Sequence, residues 1–211
     1  MKLCMGKDEN GNPTLVERSG SCAIVALIVG EMCYVANVGD SRAVLSSHLG
    51  QQVSPLSLDH KPSEQIEYQR IIAAGGQVYQ TTTATSNMQL NNNGSEEETD
   101  ADFIVGPIRV LPGRLSVSRT FGDPEAKVEF RGGNPKVVAC IPDVEVFKIT
   151  KDHDFIVLAC DGIFDKMSNE DCVSCVWNSC NIDNKDRKIA QNVHQQSGLA
   201  VESILKNSLY R

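Results

Sequence analysis

Two apolar runs constrain the fold of this chain more than any other feature. Cys22–Ile28 (CAIVALI) and Met32–Val38 (MCYVANV) are rich in β-branched residues, carry no charge and are separated only by Val29-Gly30-Glu31. Such runs favour extended backbone, and a short connection containing glycine turns the chain back on itself, which predicts an antiparallel hairpin. A third run, Ala43–Ser46, follows the turn Gly39-Asp40-Ser41-Arg42 and extends the expectation to a meander. The period then changes. Pro62, Ser63 and Glu64 supply a helix start, Ile66, Ile71 and Ala74 an apolar stripe, and Gly75-Gly76 a stop. Strands are expected again at Lys136–Cys140, Val144–Ile149 and Phe155–Cys160, the last nearly all apolar and therefore central. Ser168-x-x-Asp171 is a capping-box variant that opens a helix with Cys172, Val173, Val176 and Trp177 inward. A final helix covers much of Lys188–Leu209, with a break expected near Ser197-Gly198. Antiparallel strands with flanking helices make the fold class α+β.

With 211 residues and 41% apolar composition, residues 1–211 suit one domain, which needs no disulfide or metal to close its core. The exception is 80–102, rich in Thr, Asn, Ser and Glu. It buries too little to offset its ordering entropy and is expected to be a solvated, partly disordered insertion. No apolar run reaches the roughly 18 residues of a membrane-spanning helix, and the first residues lack the apolar core of a signal peptide. Twenty Lys and Arg against 27 Asp and Glu give a net charge of -7, which argues against nucleic-acid binding and is compatible with gathering divalent cations. Of the eight cysteines, Cys22, Cys33, Cys140 and Cys160 sit in apolar runs and read as free thiols of a reducing compartment, cytoplasm or nucleus. Cys172-x-x-Cys175, with Cys180 beyond, lacks the second pair that a zinc site requires.

The most chemical segment is Phe155-Ile-Val-Leu-Ala-Cys160-Asp161-Gly162-Ile163-Phe164-Asp165. An apolar strand ends on an aspartate, and a second aspartate follows one helical turn later, on the same side if the turn begins at Gly162. Two close carboxylates repel unless a cation or strong donors hold them, and oxygen ligands alone suit magnesium or manganese. Spacing equally allows Asp161 to turn the chain and Asp165 to cap a helix. Asp40 also ends an apolar strand and could complete a three-carboxylate cluster with Asp161 and Asp165.

Several motifs stand in order: Ser19-Gly20-Ser21-Cys22-Ala23, Val35-Ala-Asn-Val-Gly39-Asp40-Ser41-Arg42-Ala43-Val44, and Leu58-Asp59-His60-Lys61-Pro62. They continue with Glu67-x-x-Arg70-Ile71-x-x-Ala74-Gly75-Gly76, Gly113-Arg114-Leu115-Ser116-Val117-Ser118-Arg119-x-Phe121-Gly122-Asp123 and Ala159-Cys160-Asp161-Gly162-Ile163-Phe164-Asp165. This series resembles the type 2C, metal-dependent (PPM) Ser/Thr protein phosphatases from about Arg18 to Arg211, and its Gly-Pro and Gly-Gly-Asn-Pro segments look most like protist members. The resemblance implies a four-layer α/β/β/α sandwich of two antiparallel sheets flanked by helices, with Mg²⁺ or Mn²⁺ at one edge. There the metals activate a water that attacks phosphoserine or phosphothreonine of protein substrates. By the same resemblance Asp161 is a core metal ligand, and Asp40 and Asp165 join it around a weaker ion. Arg114 and Arg119 lie in the segment resembling the flap, where they either contact substrate or brace the loop.

The chain departs from the family pattern at both ends. The Asp-Gly-His-Gly-Gly motif expected upstream of Ser19 and the Gly-Ser-x-Asp-Asn motif expected after the final helix are absent. The expectation is therefore a partial catalytic domain in which no catalytic residue can be assigned. The alternative is a pseudophosphatase that binds proteins without hydrolysing phosphate. Neither membrane nor nucleic acid is expected as a partner, and the residues carry no signal of oligomeric state.

Overall fold

The computed structural model describes residues 5–85, 88–90, 96–98, 102–180 and 192–210. Its principal strands are β1 (Met5–Lys7), β2 (Pro13–Leu15), β3 (Ala23–Val29), β4 (Met32–Val38), β5 (Arg42–Ser47) and β6 (Gln52–Pro55). They continue as β7 (Gln77–Thr85), β8 (Met88–Leu90), β9 (Glu96–Glu98), β10 (Asp102–Leu111), β11 (Asp143–Lys148) and β12 (His153–Ala159). The helices are α1 (Gln65–Ala73), α2 (Pro124–Lys127), α3 (Asp161–Phe164), α4 (Asn169–Cys180) and α5 (Val193–Leu209). The chain divides into two compact units, Met1–Gly20 with His60–Ala139, and Ser21–Asp59 with Cys140–Arg211.

The second unit holds two antiparallel three-stranded sheets. The hairpin expected from the two apolar runs is formed by β3 and β4, with Val25 opposite Ala36, and β11 pairs on the other side of β4. The third run does not extend this meander. β5 belongs to the second sheet, between β6 and β12. Its burial explains the placement. Ala43 and Leu45 face Cys33, Val35 and Leu56 between the sheets, while Val44 faces the helices, so both faces of β5 are dry. A strand buried on both sides takes the middle of a sheet, not the end of a meander with one solvated face. For the same reason Phe155–Cys160 is not central. β12 is at the edge of its sheet among the described residues, and Leu158 is 44% exposed.

The far face of the second sheet carries the helices. Ile163, Phe164 and Met167 after β12, Cys172, Val173 and Val176 of α4, and Ala200 and Ile204 of α5 close one core with Val44. The capping box is formed reciprocally, Asp171 N–H donating to Ser168 Oγ at 3.0 Å and Ser168 N–H to Asp171 Oδ2 at 3.2 Å. α5 runs unbroken through Ser197-Gly198, contrary to the sequence expectation. The Asn192 side chain caps it by accepting from Gln195 N–H at 3.0 Å, and the packing of Ala200 and Ile204 outweighs the roughly 1 kcal/mol helix penalty of one glycine. The beginning of the expected helix, 188–191, lies outside the described residues. This unit thus shows three of the four expected layers, helix, sheet and sheet. The outer face of the first sheet leaves Val25, Leu27 and Val29 more than half exposed.

The first unit is built on α1, whose Ile71 packs with Val110, Ala126, Val137 and Val138. The expected stripe is corrected at one position: Ile66 is 69% exposed, and Glu67, at 3%, is buried in its place. Lys136–Cys140 is not a strand. Val137 and Val138 N–H both turn back onto Asn134 O, and only Ala139 makes a single bridge, to Arg119. The β-branched pair serves the core and not a ladder. The polar stretch 80–102 lies partly outside the described residues. Where described it carries strand pairing, Thr82 opposite Val105 in β7–β10 and Gln89 opposite Glu97 in β8–β9.

Candidate metal centre

The site-bearing end of the second unit follows from the register of its first sheet. Ala23 pairs with Val38, so the residue before β3, Cys22, and the turn after β4, Gly39-Asp40, meet at one sheet end. Gly39 has φ +111°, a backbone state that excludes ordinary side chains, and a Cβ there would stand 2.2 Å from Cys22 Sγ. The missing side chain lets the thiol reach Asp40, to whose Oδ1 it donates at 3.4 Å. Asp40 is 8% exposed. Burial pushes the Cys22 thiol up to about 11; a hydrogen bond from the Asp40 backbone opposes this, while the Asp40 and Asp161 charges add to it. Cys22 thus stands within electrostatic reach of both carboxylates as a neutral group.

Asp161 opens α3 directly after β12, and its Oδ1 accepts from Gly162 N–H at 2.8 Å. Asp165 N–H donates to Asp161 O at 2.8 Å, which places the two aspartates on one helical turn, as their spacing allowed. Their electrostatic surroundings differ. Arg42 is raised chiefly by its hydrogen bonds to Asp59, against burial, with the charges of Asp59 and Asp165 adding to it. The charge of Asp165 thus acts on Arg42 and that of Asp161 on Cys22. Among the described residues no three His, Cys, Asp or Glu side chains are close enough to hold an ion, so the structure does not gather Asp40, Asp161 and Asp165 into one cluster. The carboxylates of Asp40 and Asp161 are the oxygen ligands that a hard divalent ion takes.

Arg42 anchors the surroundings. It grips Asp59 with both arms (Nε–Oδ1 2.9 Å, Nη2–Oδ2 2.8 Å), donates to Asn169 Oδ1 at 2.9 Å and lies 4.8 Å over the Phe164 ring. Lysine cannot reproduce a planar fork that also stacks. Arg42→Lys should therefore lower the unfolding free energy by about 2 kcal/mol, read as a smaller urea midpoint at unchanged slope.

In the first unit, Arg119 is 8% exposed and bound to Glu67 through Nε at 3.1 Å and Nη2 at 2.6 Å. Of the two roles open to it, the bonds to Glu67 are those of a brace that ties the loop to α1. Arg70 completes the knot, reaching Glu67 Oε2 at 2.7 Å and Ser118 O at 3.1 Å. Arg114 keeps an exposed side chain on a left-handed backbone, φ 60°. His60 is 2% exposed, and its carbonyl accepts from Ser118 N–H and Oγ. Sequence reasoning missed Glu67 and Cys22. A charged residue at helical spacing looks solvated, and a cysteine before an apolar strand looks like filler; only pairing partners distant in sequence reveal their roles.

Two antiparallel sheets with helices on one face and aspartates just after their strands are the α+β architecture that the order of the motifs leads one to expect. Similarity to known proteins agrees: the protein phosphatase 2C pattern matches residues 4–200, and the chain belongs to that metal-dependent family. It is 40% identical over 159 residues to a probable protein phosphatase 2C of Caenorhabditis elegans, covering 75% of this chain and 36% of the relative. It is 38% identical over 175 residues to protein phosphatase 2C homolog 3 of Schizosaccharomyces pombe, covering 83% and 35%. Among solved structures, a C. elegans sex determining protein superposes with a TM-score of 0.64 at 22% identity, over 92% of this chain and 37% of that one. A serine-threonine phosphatase 2C from Toxoplasma gondii gives 0.53 at 22%, over 89% and 54%. These two structural likenesses speak for the fold. The chain spans about a third of the length of the two curated relatives.

Proposed function

We propose that this chain carries part of the metal site of a protein serine/threonine phosphatase, with Asp40 and Asp161 as ligands of Mg²⁺ or Mn²⁺ and Asp165 as an outer carboxylate. The observation that carries this reading is the Cys22 thiol, which donates to Asp40 Oδ1 at 3.4 Å at the end of β4 while the charge of Asp161, after β12, also acts on it. When bound, the ion lowers the pKa of a water and supplies hydroxide for hydrolysis of the phosphate ester. The protein's part is to hold the two carboxylates in place on strand ends. Arg114, with its exposed side chain, keeps the substrate-binding role that the family resemblance implies for it. Phosphorylated proteins are the substrate class.

The test is thermal unfolding with and without MnCl₂. At a hundredfold excess over Kd, Mn²⁺ should raise the Tm by roughly 5–10 °C, and Asp161→Ala should abolish the rise. No shift in the parent protein would overturn the metal reading. A shift without turnover of a phosphothreonine peptide would favour the non-hydrolysing alternative.

A further inference from the structure

We propose that Cys22 is a positioning residue for the Asp40 carboxylate, its thiol holding one oxygen by a hydrogen bond so that the group keeps its place at the end of β4. The proposal rests on the metal reading above and adds to it a residue that ligates nothing. Three features of the fold converge on this role. The Ala23–Val38 pairing fixes Cys22 and the Gly39-Asp40 turn side by side. Gly39 at φ +111° offers no Cβ, and the space it leaves is filled by Cys22 Sγ. The Sγ–Oδ1 distance of 3.4 Å is a hydrogen-bond length for sulfur.

Outer groups that orient a ligand are commonly worth ten- to a hundredfold in metal affinity, and a thiol is a weak donor. We therefore expect about a fivefold effect. Cys22→Val removes the donor and adds one carbon; Cys22→Ser keeps a donor. Mn²⁺ affinity would be measured by isothermal titration calorimetry on the 211-residue chain, with the metal-free Tm recorded in parallel. Cys22→Val should bind Mn²⁺ about fivefold more weakly and Cys22→Ser within twofold of the parent. A purely structural role would move the metal-free Tm and leave Mn²⁺ affinity alone. If Cys22→Val binds like the parent while Asp161→Ala does not bind, this proposal falls and the metal reading stands. If Cys22→Ser weakens binding as much as Cys22→Val, donation is likewise overturned. If the parent itself takes up no Mn²⁺, both fall together.

Discussion

Glu67→Gln is expected to destabilise the protein by about 3–5 kcal/mol at neutral pH, the cost of leaving one partner of a buried ion pair without its counter-charge. Glu67 is 3% exposed and receives Arg119, Arg70 and Ser118 at once, while Arg119 is 8% exposed. Glutamine matches the shape and can still accept from Ser118, so the loss isolates the charge. The pH dependence gives a second readout. Burial alone pushes the Glu67 carboxyl up, but the bonds from Arg119, Arg70 and Ser118 outweigh it and hold the pKa at about 2, against an ordinary 4.5. A folded-state pKa below the unfolded one stabilises above the unfolded value and is lost as pH falls through the folded value. The window is thus about pH 4.5 down to 2, and the stability involved is about 3 kcal/mol. Urea unfolding should show the parent weakening more steeply than Glu67→Gln between pH 5 and 3. Parallel profiles would mean that Glu67 contributes no such term.

Gly39→Ala should be comparably damaging, by about 3 kcal/mol or more, and should also abolish the Mn²⁺ response. Two penalties add at this position. The backbone sits at φ +111°, and the new methyl would lie 2.2 Å from Cys22 Sγ and 2.5 Å from Cys22 Cβ. Gly30 separates the two effects. It also has positive φ, +59°, but a methyl added there would meet nothing within 4 Å. Gly30→Ala should therefore cost only about 1 kcal/mol and leave Mn²⁺ binding intact. Thermal unfolding of the two variants, with and without MnCl₂, makes the comparison. Equal losses would show that backbone conformation, and not the approach of Cys22, sets the cost at Gly39.

Much of the second unit was legible in its local patterns. The β3–β4 hairpin, the capping box of α4 and its inward Cys172, Val173 and Val176 all rest on contacts within a few residues, where spacing and turn chemistry act directly, and so does α1 in the first unit. The expectations that failed concern long-range choice. β5 left the meander, Val137 and Val138 declined a ladder, and α5 continued past Gly198 because burial far along the chain compensated for weak local preference. The three aspartates were recognisable as strand-end and turn residues, and the family followed from the order of the motifs. Their unequal surroundings were not readable: Arg42 lies far from Asp165 in sequence, as Cys22 does from Asp161.

The amino-acid sequence by itself determined the α+β class, the family and the placing of Asp40 and Asp161 just after strands, because periodicity, turn residues and motif order are properties of neighbouring positions. The tertiary structure alone decided which of those residues face one another. It put a thiol against Asp40, the Arg42 guanidinium onto Asp59 and Arg119 into a buried pair with Glu67. Electrostatic and hydrogen-bond partners act over a few ångströms of space, and no spacing along the chain encodes that distance until the sheets have paired.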